Sequence, residues 1–401
     1  MKRLLHLSML FAILTQCNAQ EFKSNLALTS GKSSFNMPFE LVDNRIFIDV
    51  QLNGKGPFKF ILDTGGYAQV SLEAARAAML RLDEQEQGTG VGQTSVTAWR
   101  TTIAEMRIGG IRLTDQEARA FSYADARHVF GSRQFDGVIG LPVFEHFVVK
   151  VDYENHTLTF TVPERFAYSG EGTLVPFELT RFVPLVDGEI DGVTARFGID
   201  TGSRSSLLLA GPFVESNDLR EKYAARVDAV TGWGIGGAVR SQVARAKTLK
   251  LASEKIPNIV ILLSLQKSGS LATSRDAGLV GGGVLKRFNI TFDYSRRRLI
   301  LEKNHNFDTP DNYDRAGMWL SLSEDGKSFE VSDVVAGGPA AKAGINAGDH
   351  ILAVDGESVE SVDLLSLRME IANRVSRKQL RLKLNSEGNL RDVTVMLRDL
   401  L

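Results

Sequence analysis

Two copies of one tripeptide carry the residue types best suited to chemistry in this sequence. Asp63-Thr64-Gly65 and Asp200-Thr201-Gly202 each follow an apolar run, and a carboxylate at such a place needs partners because burying it alone is costly. A single Asp-Thr-Gly would be an ordinary turn. If the two aspartates face each other, they cannot both ionise easily, so they would share one proton and hold a water molecule. The ionised member can take a proton from that water while the protonated member polarises a peptide carbonyl.

The two tripeptides lie at equivalent positions of an internal repeat. Pro38-Phe39-Glu40-Leu41 recurs as Pro176-Phe177-Glu178-Leu179, and Gly137-Val138-Ile139-Gly140 matches Gly278-Leu279-Val280-Gly281 at nearly the same offset. Landmarks in one order at one offset indicate a single unit encoded twice, over residues 38–160 and 176–303. Pairing of the two units about a pseudo-twofold axis would bring the two aspartates face to face.

Each half also contains a glycine-rich stretch between its landmarks that predicts a mobile hairpin. The first is Gly88-Thr89-Gly90-Val91-Gly92 and the second runs from Gly232 to Gly237. The second formally fits a dinucleotide-binding pattern, but no apolar strand precedes it and the following residues alternate like a strand where that pattern needs a helix. A flap over a cleft suits the glycines better, and the candidate flap residues are Gly90, Val91, Gly92, Trp233 and Gly234.

Residues 38–303 resemble a single-chain aspartic peptidase of the pepsin and retropepsin superfamily with compact, retropepsin-sized halves. The resemblance rests on the paired Asp-Thr-Gly motifs, each followed by an apolar-apolar-Gly element. It implies that Asp63 and Asp200 form the catalytic dyad and that a hairpin flap closes over an extended substrate. It also implies that the dyad is supported by Thr64, Gly65, Thr201, Gly202 and Ser203.

The sequence departs from this family's pattern at two places. Gly66 stands where the family usually has Ser, Thr or Ala, whereas the second half has Ser203. Only one aspartate therefore keeps the hydroxyl that typically supports its outer oxygen. No tyrosine lies between Gly88 and Trp99, so the flap tyrosine of pepsin-like enzymes is missing. Trp99 or Trp233 is a substitute, or else packs beneath a hairpin.

A polar linker, residues 304–314, leads to a third unit, residues 315–401, which resembles a bacterial-type PDZ domain. Gly317-Met318-Trp319-Leu320 resembles the carboxylate-binding loop, and the apolar spacing from Val362 to Arg374 predicts an amphipathic helix. The resemblance implies that a peptide adds a strand to a sheet edge and that backbone N–H groups hold its terminal carboxylate. The alternative is that this unit only packs on the catalytic body or covers its cleft.

The first residues predict export from the cytoplasm. Residues 1–19 have the basic start, apolar stretch and small-residue cleavage site of a signal peptide, and residues 20–36 read as an unstructured leader. The protein is then periplasmic or secreted. Membrane attachment would follow only from lipidation of Cys17, the one cysteine, a reading that Gln16 makes less favourable.

The composition excludes other function classes. With 401 residues, a formal net charge of -1 and 43% hydrophobic residues, the chain is globular, and nothing points to a nucleic-acid partner. Six histidines are scattered without metal-ligand spacing, so neither a metal nor an organic cofactor is expected.

The sequence therefore predicts a mainly β protein: a two-lobed aspartic-peptidase β fold made of duplicated half-barrels, residues 37–165 and 170–303, plus a small α/β PDZ domain. The predicted function is that of an aspartic endopeptidase acting on proteins or peptides, whose PDZ domain recognises a peptide or C-terminus or regulates the enzyme. The competing hypothesis is a catalytically silent or latent peptide-binding protein of the cell envelope.

Overall fold

The computed structural model describes residues 25–28, 33–224, 227–374 and 378–401. The predicted signal peptide, and Cys17 with it, lies outside the described residues. Within the described part of the chain, no helix combines the length and the apolar composition that crossing a membrane would require.

The first lobe is built on a nine-stranded sheet in which alternating apolar residues face the core. Strand β10 lies parallel to β5 and pairs Ile139 with Leu62, so the apolar-apolar-Gly element backs the strand that ends at Asp63. The strands are β1 (Asn25–Leu28), β2 (Ser34–Pro38), β3 (Glu40–Val42), β4 (Arg45–Leu52), β5 (Lys55–Leu62), β6 (Ala68–Ser71), β7 (Gln85–Gly88), β8 (Val96–Ile108), β9 (Ile111–Phe121), β10 (Gly137–Ile139), β11 (Val148–Asp152) and β12 (Thr157–Thr161). The helices are α1 (Leu72–Ala77), α2 (Arg127–Phe130) and α3 (Leu141–Phe144).

The second lobe repeats this plan on an eight-stranded sheet. Its parallel pair of β16 and β21 aligns Asp200 with Gly281, as the repeat requires. The strands are β13 (Thr173–Pro176), β14 (Glu178–Thr180), β15 (Val183–Ile190), β16 (Val193–Asp200), β17 (Leu207–Leu209), β18 (Val227–Gly234), β19 (Gly237–Leu251), β20 (Glu254–Ser264), β21 (Gly278–Gly281), β22 (Phe288–Asp293) and β23 (Arg298–Lys303). The helices are α4 (Gly211–Ser216), α5 (Leu219–Lys222) and α6 (Gly282–Leu285).

The lobes are joined by a six-stranded sheet with the order β13-β23-β22-β11-β12-β2. Its central pair crosses from one lobe to the other, with Val151 opposite Ile290. A single apolar core runs through both lobes, and Phe60, Phe144 and Phe292 are fully buried in it. The prediction of a mainly β, two-lobed fold from a duplicated unit is confirmed.

The segment expected to be an unstructured leader contributes two strands instead. Strand β1 pairs with β9, and β2 pairs with β12. Phe35 and Met37 alternate along β2 and pack against the shared core, which is the signature of a half-buried strand.

The C-terminal unit has its own sheet and its own core. The sheet order is β24-β25-β26-β28-β29, with β27 paired to β26, so β24 is an edge strand. Leu320, Phe329 and Ile371 belong to a core that is separate from that of the lobes. The strands are β24 (Met318–Leu322), β25 (Phe329–Val334), β26 (His350–Val354), β27 (Glu357–Ser358), β28 (Gln379–Ser386) and β29 (Asn389–Met396), and the helices are α7 (Pro339–Lys342) and α8 (Leu364–Asn373). Helix α8 lies within the predicted amphipathic stretch.

Candidate active site

The structure brings the two predicted catalytic aspartates together at the interface of the lobes. Asp63 directly follows β5 and Asp200 ends β16, so each leaves the sheet at the same level. Each carboxylate accepts a hydrogen bond from the glycine amide of its own turn: Gly65 N–H reaches Asp63 Oδ1 at 2.7 Å and Gly202 N–H reaches Asp200 Oδ1 at 2.9 Å. Each carboxyl group lies against the glycine of the opposite turn, and each alters the proton affinity of the other. This is the arrangement that lets two carboxyls share a proton.

The two turns are locked to each other by the threonine hydroxyls. Thr64 Oγ1 donates to the Ile199 carbonyl at 2.7 Å and accepts from the Thr201 amide at 3.0 Å. Thr201 Oγ1 makes the symmetry-related bonds, to the Leu62 carbonyl at 2.7 Å and from the Thr64 amide at 3.0 Å. Both side chains are fully buried, so these four bonds satisfy groups that water cannot reach.

Glycine is required beside each aspartate because the opposite carboxyl group fills the space of a side chain. A Cβ on Gly65 would lie 2.8 Å from Asp200 Cγ, and a Cβ on Gly202 would lie 2.4 Å from Asp63 Cγ. Both distances are shorter than any real Cβ contact. The Asp-Thr-Gly motif thus sets how closely the carboxyl groups approach.

Ser203, the residue after the second motif, does not contact Asp200 in the way that was expected of its hydroxyl. Its backbone amide donates to Asp200 Oδ1 at 3.0 Å, while its hydroxyl lies 2.9 Å from the Ser205 hydroxyl. Ser203 therefore supports Asp200 through its backbone amide, and its hydroxyl pairs with Ser205. At the equivalent Gly66, a Cβ would lie 2.9 Å from Asp63 Oδ2 and 3.0 Å from Val138, so there is little room for the family's usual side chain.

The surroundings of the two aspartates separate their proton affinities. Burial raises the pKa of Asp63 well above its usual range, and the adjacent Asp200 carboxyl raises it further. Burial also raises the pKa of Asp200, but the hydrogen bond from Asp63, the amides of Gly202 and Ser203 and the charge of Arg45 oppose that rise. Because Asp200 accepts two backbone amides and Asp63 accepts one, we assign the shared proton to Asp63 and the negative charge to Asp200.

This proton should be visible in the pH dependence of stability. Because Asp63 binds its proton more tightly in the folded than in the unfolded chain, the folded state holds more protons above about pH 4, where an unfolded aspartate ionises. The free energy of unfolding should then fall as pH rises through this window, and Asp63→Asn should remove that fall. Urea denaturation of both proteins between pH 4 and 7 measures the difference, and a difference that does not change with pH would contradict the assignment.

A cavity of about 630 Å³ opens over the dyad and is lined by both lobes. Tyr123 lies on its wall and donates a hydrogen bond to Gln69 at 2.8 Å. Phe130 and Phe135 line the same side and Phe182 the other lobe. No sequence pattern indicates these aromatic side chains, apart from the position of Tyr123 just past the end of the long strand β9.

The two glycine-rich stretches form the roof of the cavity and bond to each other across it. Gly92 N–H donates to the Ile235 carbonyl at 3.0 Å, and Thr94 N–H donates to the Gly236 carbonyl at 3.1 Å. A Cβ on Gly92 would lie 2.1 Å from the Gly236 backbone, so only glycine permits this contact. The predicted flap residues Gly90, Val91 and Gly92 lie in the turn between β7 and β8.

The other predicted flap residues, Trp233 and Gly234, end β18 and line the cavity. Trp233 packs face to face on His128 of the first lobe, with ring centroids 4.2 Å apart. Trp99, the alternative substitute for a flap tyrosine, packs against the main core instead. Of these two tryptophans, Trp233 is the one that borders the cleft.

A buried ionic cluster lies beside the dyad and was not anticipated from the sequence. Asp43 is 3% exposed and accepts from Arg45 at 2.8 Å and from Arg204 Nε at 2.7 and 2.9 Å. Arg45 Nε also donates to the Gly202 carbonyl at 2.9 Å, which connects the cluster to the turn that holds Asp200. The adjacency of Arg204 to the second motif was the one signal that could have indicated it.

The predicted carboxylate-binding loop of the C-terminal unit faces the first lobe. Gly317 and Met318 donate their amides to the Asp314 carboxylate at 2.5 and 3.3 Å. Trp319 Nε1–H donates to the His128 carbonyl at 3.2 Å. Leu320 packs inward.

In the described residues, no group of three or more His, Cys, Asp or Glu side chains converges as a metal ion would need.

Comparison with known families agrees with this architecture. Residues 48–143 match the family model described as aspartyl protease, and residues 308–385 match the model described as PDZ domain. The chain thus contains an aspartyl protease domain and a C-terminal PDZ domain. A search of curated proteins finds no match.

Proposed function

We propose that this protein is an aspartic endopeptidase that hydrolyses peptide bonds with a water molecule activated between Asp63 and Asp200. The proposal is carried by the convergence of two buried carboxyl groups at the interface of the lobes, each held by the glycine amide of its own turn. Asp200 takes a proton from the water as its oxygen attacks the carbonyl carbon, and Asp63 donates its proton to the carbonyl oxygen. The resulting tetrahedral intermediate breaks down when the leaving nitrogen receives a proton, so no covalent enzyme intermediate forms.

The shape of the cavity supports a peptide substrate in an extended conformation. It runs between the lobes beneath a roof of two backbone turns, whose amides and carbonyls are available to an extended chain once the turns part. Phe130 and Phe182 on opposite walls favour apolar side chains near the cleaved bond. Opening of the roof is then a step of each turnover.

We also propose that the protein acts outside the cytoplasm, as a periplasmic or secreted enzyme, on the strength of the signal-peptide pattern in residues 1–19. The PDZ domain would bind a peptide or a protein C-terminus there. A protein substrate and a PDZ ligand are the expected partners, and neither requires a metal or an organic cofactor.

A latent or catalytically silent peptide-binding protein is the second candidate. It is favoured by the two hydrogen bonds that close the roof and by Gly66, which leaves Asp63 without a neighbouring hydroxyl. Both candidates share the same cleft, so only turnover separates them.

The deciding experiment incubates the mature chain with a complex peptide library between about pH 4 and 8, the range in which a shared-proton dyad can act. Mass spectrometry reads the cleaved bonds. We expect cleavage between apolar residues and a loss of activity at high pH, as Asp63 loses its proton. Peptides that are retained by the protein but stay intact at every pH would favour the second candidate.

A further inference from the structure

The groove in which a PDZ domain holds its peptide is covered in this protein by the protein's own first lobe. PDZ ligands add a strand to an exposed sheet edge beside a helix, and here that edge is β24, with α8 alongside. A short stretch of the first lobe, residues 124–131, lies against both elements. It consists of a 3-10 turn (Ala124–Ala126), helix α2 and Gly131, and we call it the covering segment.

Backbone carbonyls of the covering segment are held by side chains of the groove. Trp319 of β24 donates to the His128 carbonyl at 3.2 Å. Arg368 of α8 donates to the same carbonyl at 2.6 Å and to that of Val129 at 2.7 Å. Val129 also packs in an apolar cluster with Leu365 of α8. The PDZ domain thus supplies the hydrogen-bond donors for two backbone carbonyls of helix α2.

Two ion pairs flank the covering segment. Arg127 lies 3.4 Å from Glu324, in the turn after β24, and Arg133 lies 3.9 Å from Asp363, the residue that caps α8. Glu324 is largely exposed and Arg127 partly so. Such pairs contribute little to overall stability, and none of their four residues lines the cavity over the dyad.

The same segment forms part of the catalytic cleft. Ala126, Val129 and Phe130 line the cavity over the dyad, and the His128 ring stacks on Trp233 of the roof. Displacement of the segment from the PDZ groove would therefore also release one side of the roof.

The end of the groove already holds a carboxylate of the chain itself, because Asp314 accepts hydrogen bonds from the Gly317 and Met318 amides. The terminal carboxylate of a peptide would have to take the place of Asp314. A second cavity of about 130 Å³ lies there, lined by Met318, Trp319, Arg204 and Arg368. Arg368 bonds only carbonyl oxygens and makes no ion pair with the residues that the structure describes. Burial and the nearby charge of Arg204 lower the pKa of Arg368 to about 9. An incoming carboxylate would compensate this buried charge.

We propose that the covering segment and a peptide with a free C-terminal carboxylate compete for the groove between β24 and α8, and that peptide binding releases the roof and activates the enzyme. The effect on turnover rests on the proposed peptidase function, whereas the competition does not. The apparent affinity for the peptide is lowered by the fraction of molecules whose groove is covered. Any change that loosens the segment should tighten peptide binding.

Charge reversal at Arg127 tests the competition. We expect Arg127→Glu to bind a labelled peptide library that ends in an apolar residue with a free carboxylate about 2- to 5-fold more tightly than wild type, the scale of an exposed ion pair. Arg127→Glu combined with Glu324→Arg should return the affinity to the wild-type value. Arg76→Glu, on an exposed arginine of α1, is the matched control and should have no effect. The same peptides with an amidated C-terminus should bind at least 10-fold more weakly.

Hydrogen exchange supplies a readout that does not depend on turnover. In the full-length Asp63→Asn protein, saturating peptide should raise amide exchange in residues 124–131 and in the roof turn at residues 233–237. In the active protein it should raise kcat/KM for a second, cleavable peptide. The proposal is overturned if no peptide with a free carboxylate binds wild type or any of the variants. It is also overturned if wild type and the variants bind such peptides equally well and amide exchange in the covering segment stays unchanged. Release of the covering segment and the roof without any peptide cleavage would contradict the proposed peptidase function but not the competition for the groove.

Discussion

Replacing either dyad aspartate by asparagine is expected to lower peptide cleavage by at least about 1000-fold, because each change removes one of the two proton transfers of the reaction. Asp200→Asn removes the base that takes the proton from water. Asp63→Asn removes the acid that protonates the carbonyl oxygen. Both variants should lose kcat and leave KM largely intact, since asparagine has the same shape and the cavity walls are unchanged.

The folded state should survive these substitutions. The glycine amides that bind the carboxylates can donate equally well to an amide oxygen, and the threonine hydroxyls that lock the turns are untouched. Asp187→Asn, on an exposed aspartate of β15, is the matched control and should keep wild-type kcat/KM. Initial rates and thermal unfolding of the three variants check the expectation. If either dyad variant retains more than a tenth of the wild-type rate, the dyad does not perform the chemistry.

The pairing of Asp63 with Asp200 could be predicted because its geometry is encoded locally and twice. Each Asp-Thr-Gly needs only its own strand, its own turn and its copy in the other half, and the offset between the copies already places the two motifs at equivalent positions. The glycines at 65 and 202 express that requirement directly, since the opposite carboxyl group occupies the space of their side chains.

The ionic cluster beside the dyad could not be predicted in the same way, because it breaks the symmetry of the repeat. The residues equivalent to Asp43 and Arg45 are Arg181 and Val183, so the duplication carries no hint of the cluster. Asp43 and Arg204 come from different halves of the chain, and their pairing depends on how closely the lobes pack.

The placement of the PDZ domain against the first lobe could not be predicted either, because it depends on how two surfaces fit together. Its strands and its amphipathic helix follow from periodic apolar residues, which any PDZ domain must have. Its contact with the first lobe depends on the carbonyls of residues 128 and 129. Every residue has a backbone carbonyl, so the residue types do not show which carbonyls will accept such bonds. The alternative in which this unit packs on the catalytic body describes what the structure contains, and the peptide groove faces that contact.

Replacing Asp43 by asparagine is expected to destabilise the protein by about 3 kcal/mol, although Asp43 is buried and does not line the cavity over the dyad. It is the carboxylate that compensates the buried Arg45 and the partly buried Arg204, and removing one partner of a buried ion pair leaves an uncompensated charge. Asparagine suits the left-handed backbone at this position, where φ is 49°. The loss should therefore come from the charge and not from strain in the turn.

An exposed ion pair in the same lobe serves as the control. Asp49 lies 2.6 Å from Lys59, but its side chain is 56% exposed, so Asp49→Asn should cost less than about 1 kcal/mol. Urea denaturation at pH 7 compares the two variants with wild type. At pH 3 the destabilisation caused by Asp43→Asn should be smaller. The pKa of Asp43 lies below its usual value in the folded protein, so at this pH the unfolded chain gains a proton there before the folded protein does, and wild type loses part of the stabilisation that Asp43 provides.

The same substitution should also reach the active site through Arg45. That side chain donates to the Gly202 carbonyl and its charge opposes the rise of the Asp200 pKa. Without Asp43 to hold it, Arg45 can leave the Gly202 carbonyl, and Asp200 would lose part of what keeps it ionised. We expect kcat/KM to fall about 10-fold with the acidic limb of the pH profile moved to higher pH. A variant that loses stability with an unmoved pH profile would show that the cluster supports the fold but not the dyad.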